Sequence, residues 1–154
     1  MTGARGPISE RSEDKRWGGI DKSDDRCMEL SLPARAELWS IVRMAVASVA
    51  ASIGFDFDTI SDLRLALDEL CNSCALGASD ASVMRLTCYW SQEGILVDCS
   101  VSNLVSTQAL QEDEELPPGM RQNELSKSIL AALVDAYGIS ELHDSRRAWL
   151  RKTR

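Results

Sequence analysis

The chain reads as an α+β protein, a two-layer sandwich in which a mixed, mostly antiparallel sheet is covered on one face by three helices. Three observations lead there. Apolar residues recur three and four apart over 34–53, 60–76 and 125–137, the spacing of helices with a buried side. Short strand-like runs lie near 28–32, 83–90, 95–101, 139–143 and 148–152. The resulting order, β-α-α-β-β-loop-α-β-β, joins successive strands by short turns, and such links make antiparallel pairs.

The elements follow in chain order. Residues 1–26 mix Gly, Ser, Asp, Lys and Arg with almost no apolar side chains and are expected to form a disordered tail. Trp17 is its one exception, a candidate weak docking residue. The domain is expected over 27–154. Met28, Leu30 and Leu32 alternate with Glu29 and Ser31 in a strand that stops at Pro33. A helix over 34–53 should bury Leu38, Ile41, Val42, Ala45, Val46, Val49 and Ile53, with Gly54 as its stop. Its other side, Ser40, Arg43, Met44, Ala47, Ser48 and Ala51, is smooth enough for another chain to approach closely.

Asp58 or Thr59 should cap the next helix. One stripe of it is Ile60, Leu63, Leu67, Leu70, Cys71 and Cys74. A second holds Leu65, Glu69, Ser73 and Leu76 with Asn72 beside it, so this helix is expected to be sandwiched. A carboxylate on such a side is costly unless paired or used, which makes it the place to look for chemistry. A hairpin follows, Val83–Trp90 and Ile95–Val101 around Ser91-Gln92-Glu93-Gly94. The polar stretch 102–122, with Glu112-Asp113-Glu114-Glu115 and Pro117-Pro118-Gly119, has the length of a lid or binding loop. A third helix over 123–137 should stop at Gly138, before two strands that turn at Asp144-Ser145.

With 154 residues and a net charge of -7, the chain is long enough for one domain with its own core, and its acidity argues against a nucleic-acid partner. Arg146, Arg147, Arg151, Lys152 and Arg154 read as a solvated hairpin end and tail. No apolar run reaches the ~18–20 residues of a membrane span, and 1–26 lack the apolar core of a signal peptide. A cytoplasmic location with five reduced cysteines is therefore expected. Cys88 and Cys99 fall in apolar strand patterns. Cys71-Asn-Ser-Cys74 is a C-x-x-C on a core stripe, which favours packing over a redox pair, and one histidine, His143, is too few for a zinc site. Nor does any nucleophile motif support hydrolase chemistry.

The order of elements, Arg43 in the first helix and Asp62-Leu-Arg-Leu-Ala-Leu-Asp-Glu-Leu-Cys71 together resemble the RsbW-type anti-sigma factors, serine protein kinases with the histidine-kinase-like ATPase fold. The resemblance spans 27–154 and is most specific around 62–78 and in Ser128-Ile-Leu-Ala-Ala-Leu-Val-Asp135. It implies sequestration of an alternative sigma factor, control by an anti-anti-sigma partner, a homodimer and Mg-ATP as phosphoryl donor. It makes Glu69 the carboxylate that assists phosphoryl transfer. Asn72 and Ser73 stand near the family's Mg²⁺-holding Asn, with Ser73 at that position and Asn72 about 100° away around the helix. Arg43, with Ser40 and Ala47, falls on the partner side.

The nucleotide motifs depart from the family pattern. Ser100 or Val101 stands where an adenine-reading Asp belongs, and Asp98 has the opposite strand parity. No glycine follows, and Asn123-Glu-Leu-Ser-Lys127 lacks the phosphate-cradling glycines. The expectation is a kept fold with a degraded ATP site, in which Glu69 can instead pair with Arg64 or Arg85. A working serine kinase and a pseudo-ATPase module with another partner are the alternatives.

Overall fold

The computed structural model describes residues 26–104 and 122–154. Trp17, the acidic run 112–115 and most of the expected lid lie outside the described residues. Strand β1 is Cys27–Pro33; a 3-10 turn, Ala36–Leu38, leads into helix α1, Trp39–Ser52, and helix α2 is Phe57–Cys74. The hairpin β2, Val83–Ser91, and β3, Gly94–Ser102, follows; then come helix α3, Gln122–Leu133, and strands β4, Ala136–Glu141, and β5, Arg146–Thr153. The five strands are ordered β1-β2-β3-β5-β4, and every pairing is antiparallel, so the sheet is not mixed.

All three helices lie on one face. Helix α2 is central: it packs on β3 and β5, with α1 on one side and α3 on the other. Its expected stripe is the core stripe, since Leu63, Leu67, Leu70, Cys71 and Cys74 are fully buried. They meet Met84, Leu86, Val97, Cys99 and Leu150 from the sheet. The second apolar side of α2 is not covered throughout, because Leu65 is 57% exposed.

Three local expectations are corrected. Helix α1 buries Trp39, Val42, Val46 and Ala50, whereas Ile41 is exposed; the stripe is rotated because the Trp39 indole turns inward against α2. Helix α2 begins a little earlier than expected, with Asp56 as N-cap, its Oδ1 accepting from Thr59 N at 2.7 Å. That bond holds the Asp56 carboxyl below its usual range. Helix α3 ends at Leu133, so Gly138 is not its stop. Gly138 sits in β4 opposite Trp149, and a Cβ there would lie 2.4 Å from Trp149 Nε1. The glycine is needed for the indole to lie across the backbone. Gly54 does end α1, in the left-handed region at φ 88°.

Arg146 joins the two layers. It is 3% exposed, and its Nη1 donates to the Ser73 and Leu76 carbonyls at 3.1 and 2.8 Å. A cation at the C-terminal end of α2 satisfies carbonyls the helix cannot, and it complements the helix dipole. Its Nε lies 3.4 Å from Glu141 Oε1, close enough for charge attraction though not aligned as a hydrogen bond.

Candidate functional site

Helices α1 and α2 run antiparallel, and two polar pairs spaced four apart come into register. Trp39 Nε1 donates to Asn72 Oδ1 at 2.9 Å, and Arg43 Nη1 donates to Asp68 Oδ1 at 2.5 Å. Both ions of the second pair are about two-thirds buried. On the other flank of α2, Ser126 Oγ of α3 donates to Glu69 Oε2 at 3.0 Å. Between these contacts lies an outward-facing groove of about 660 Å³. Trp39 and Arg43 form one wall, Leu65, Asp68, Glu69 and Asn72 the floor, and Ile129, Ala132 and Leu133 the other wall.

The expected site residues are only partly brought together. Glu69 and Asn72 line the groove. Ser73 does not: it is buried, its carbonyl is held by Arg146, and its Oγ has no partner among the described residues. Arg43 lines the groove edge, while Ser40 and Ala47 lie on the outward side of α1 beside it. Among the described residues Glu69 meets a serine hydroxyl, not Arg64 or Arg85. Asp98 faces away from the core and is clamped by Arg147, as its parity required. Sequence reasoning missed Trp39, Asp68 and Ser126. The four-residue spacing within Trp39/Arg43 and within Asp68/Asn72 was a usable signal for the first two, but nothing local marks Ser126.

Among the described residues the groove's one lining cation, Arg43, is paired through Nη1 with Asp68, and Glu69 adds a second carboxylate. No group of three His, Cys, Asp or Glu side chains among the described residues is placed to hold a metal ion.

Cys71, Cys74, Cys88 and Cys99 are free thiols buried in the core. Cys74 Sγ donates to the Arg146 carbonyl at 3.3 Å and lies 3.6 Å from the Cys99 carbonyl. Bonding with the Cys71 and Cys74 thiols, together with burial, pushes the Cys99 thiol well above its usual range. Cys74 is lowered by its bond with Cys99 and by the Arg146 charge, against burial. Burial pushes Cys88 up to about 12.

Comparison with known proteins assigns this architecture. The chain is 29% identical over 122 residues to the anti-sigma-F factor RsbW of Mycobacterium tuberculosis, covering 79% of this chain and 65% of that one. It is 35% identical over 60 residues to the serine-protein kinase RsbW of Bacillus cereus, covering 39% and 38%. A chain of the SiaB–SiaC complex from Pseudomonas aeruginosa superposes with a TM-score of 0.54 at 14% identity, over 99% of this chain and 100% of that one.

This chain is similar in sequence to RsbW proteins and shares its fold with the chain of the SiaB–SiaC complex.

No family model matches it. The matched segments span 65% and 38% of the curated RsbW relatives' own length. No helix among the described residues is long and apolar enough to cross a membrane.

Proposed function

We propose that this RsbW-like chain is an anti-sigma factor: it binds and sequesters an alternative sigma factor and is controlled by an anti-anti-sigma partner. The reading rests on the likeness to the anti-sigma-F factor RsbW over 79% of the chain. The observation that carries the contact surface is the α1–α2 face. There Arg43 is held by Asp68 beside Met44 and Leu65, which are 69% and 57% exposed. Asp68 takes one guanidinium nitrogen and fixes the group, leaving its other N–H groups to a partner carboxylate, with small residues, Ser40 and Ala47, permitting close approach. The working form is a cytoplasmic homodimer.

Mg-ATP binding is weak or absent. A lost buried base contact costs a few kcal/mol, enough to turn a micromolar site into a millimolar one. The test is calorimetric titration of the chain with each alternative sigma factor of its own genome and, separately, with Mg-ATP. Tight binding to one sigma factor and its inhibition in transcription are expected; binding to none sinks the reading. The serine kinase remains the second reading, because Glu69 lines the groove and relatives are named serine-protein kinases. Micromolar Mg-ATP binding, with phosphate transfer to a partner serine abolished by Glu69→Ala, would put it first.

A further inference from the structure

The face of the sheet turned away from the helices carries charge that the proposed function does not use. Strand register sets its rows. Ser31 is opposite Arg85, Arg85 opposite Ser100, Ser100 opposite Arg147, and Arg147 opposite Ser140. Each of the five strands thus gives one residue to a single line across the sheet, alternately serine and arginine. These side chains point away from the helices, because their chain neighbours Met84, Leu86, Cys99, Val101 and Ala148 are buried in the core and strand side chains alternate.

Beside the middle of the row, toward the Val83 end of β2, Val83, Arg85, Ser100, Val101, Ser102 and Ser145 line a hollow of about 380 Å³. Among the described residues its lining has one guanidinium, three hydroxyls and no carboxylate. The two arginines of the row differ. Arg147 Nε donates to Asp98 Oδ1 at 2.9 Å, and its Nη2 donates to the other oxygen, so its charge is balanced. Arg85 is exposed and has no carboxylate partner among the described residues.

We propose that this hollow is a binding site for a phosphate-class oxyanion. The Arg85 fork matches two oxygens of a tetrahedral anion. Hydroxyls of Ser100, Ser102 and Ser145 can rotate to donate to the others. Paired residues on adjacent strands stand about 5 Å apart, close enough for one anion to span Arg85 and Ser100. The site lies on the opposite side of the sheet from the helical groove and stands or falls independently of it. Inorganic phosphate and a phosphate monoester share this chemistry.

The test is a titration of the full ¹⁵N-labelled chain with inorganic phosphate, O-phosphoserine and, as control, chloride at equal ionic strength. Saturable shifts in the millimolar range, confined to the amides of Val83, Arg85, Ser100, Ser102 and Ser145, are expected. Arg85→Gln should weaken binding at least about tenfold, the scale of a lost charge-assisted bond. Arg85→Lys, which keeps the charge and loses the fork, should weaken it less, and Ser100→Ala less again. An unchanged spectrum for the rest of Arg85→Gln shows that the fold is intact. Tighter binding of phosphoserine supports the site and assigns a phosphorylated partner; tighter binding of inorganic phosphate supports it and assigns the free ion. Shifts that do not saturate, that chloride reproduces, or that survive Arg85→Gln undiminished would overturn the proposal.

Discussion

On the helical side of the molecule Arg43 is paired with Asp68 and Glu69 is bonded to Ser126, whereas on the open side of the sheet Arg85 stands among serines, with no carboxylate in its hollow among the described residues. The helical groove is walled largely by apolar groups, Leu65, Ile129, Ala132 and Leu133, and its ions are satisfied from within. A protein docking there would cover charges that already have partners, which avoids most of the cost of burying them alone. The open face keeps Arg85 without a carboxylate partner among the described residues. One surface is therefore suited to a protein and the other to a small anion, although both are built on the same antiparallel sheet.

The largest expected effect is at Arg146, which ties the two layers together. Arg146→Met leaves the Ser73 and Leu76 carbonyls without their donor, and two orphaned buried acceptors cost about 3 kcal/mol. Urea denaturation measures it; unchanged stability would mean that the end of α2 is not anchored by β5.

Next comes the α1–α2 face. Arg43→Glu should weaken sigma-factor binding by about one to a few kcal/mol, as expected for a reversed interfacial charge. The double swap Arg43→Glu/Asp68→Arg rebuilds the internal pair with opposite polarity. It should recover stability without recovering affinity in a calorimetric titration. Full recovery of affinity would make Arg43 a positioning group for α2 and move the contact elsewhere.

The thiols give a smaller effect. Cys71→Ala/Cys74→Ala removes two fully buried sulfurs and should lower stability by about 1–2 kcal/mol in thermal melts, leaving partner regulation intact. If an oxidant released the sigma factor from the native chain and not from this variant, the pair would be a switch and not packing.

The smallest effect concerns the Asp56 cap, which lies outside both surfaces and serves as a control. Its folded pKa is below its ordinary value of 3.8, chiefly through the bond from Thr59, so the ionised carboxylate favours the folded state. That stability is fully present above the unfolded pKa and is lost as pH falls through the folded one. The lead of the native chain over Asp56→Ala should thus be constant above about pH 5 and shrink in more acid solution. A lead that grows on acidification would contradict the cap.

Helix α2 was legible because its stripe repeats over five turns, and the β2–β3 hairpin because its turn sets the register of everything beside it. The rotation of α1 was not. Leu38, Ile41 and Val42 fit a core stripe as well as Trp39, Val42 and Val46 do, and only the Asn72 acceptor on another helix selects the second. Gly138 looked like a helix stop because a stop glycine and a glycine beneath an indole have the same local sequence signal; Trp149, eleven residues on, distinguishes them.

The sequence by itself determined the fold class, the core stripe of α2, the buried cysteines and the outward parity of Asp98. These depend on periods of 3.6 and 2, which a chain displays locally. Tertiary structure alone decided that Glu69 meets Ser126, 57 residues away, that Arg43 is held by Asp68, and that Ser31, Arg85, Ser100, Arg147 and Ser140 form one row. The physical reason is that periodicity tells which side of an element is apolar, while the partner of a polar group is chosen by which elements pack together and in what register.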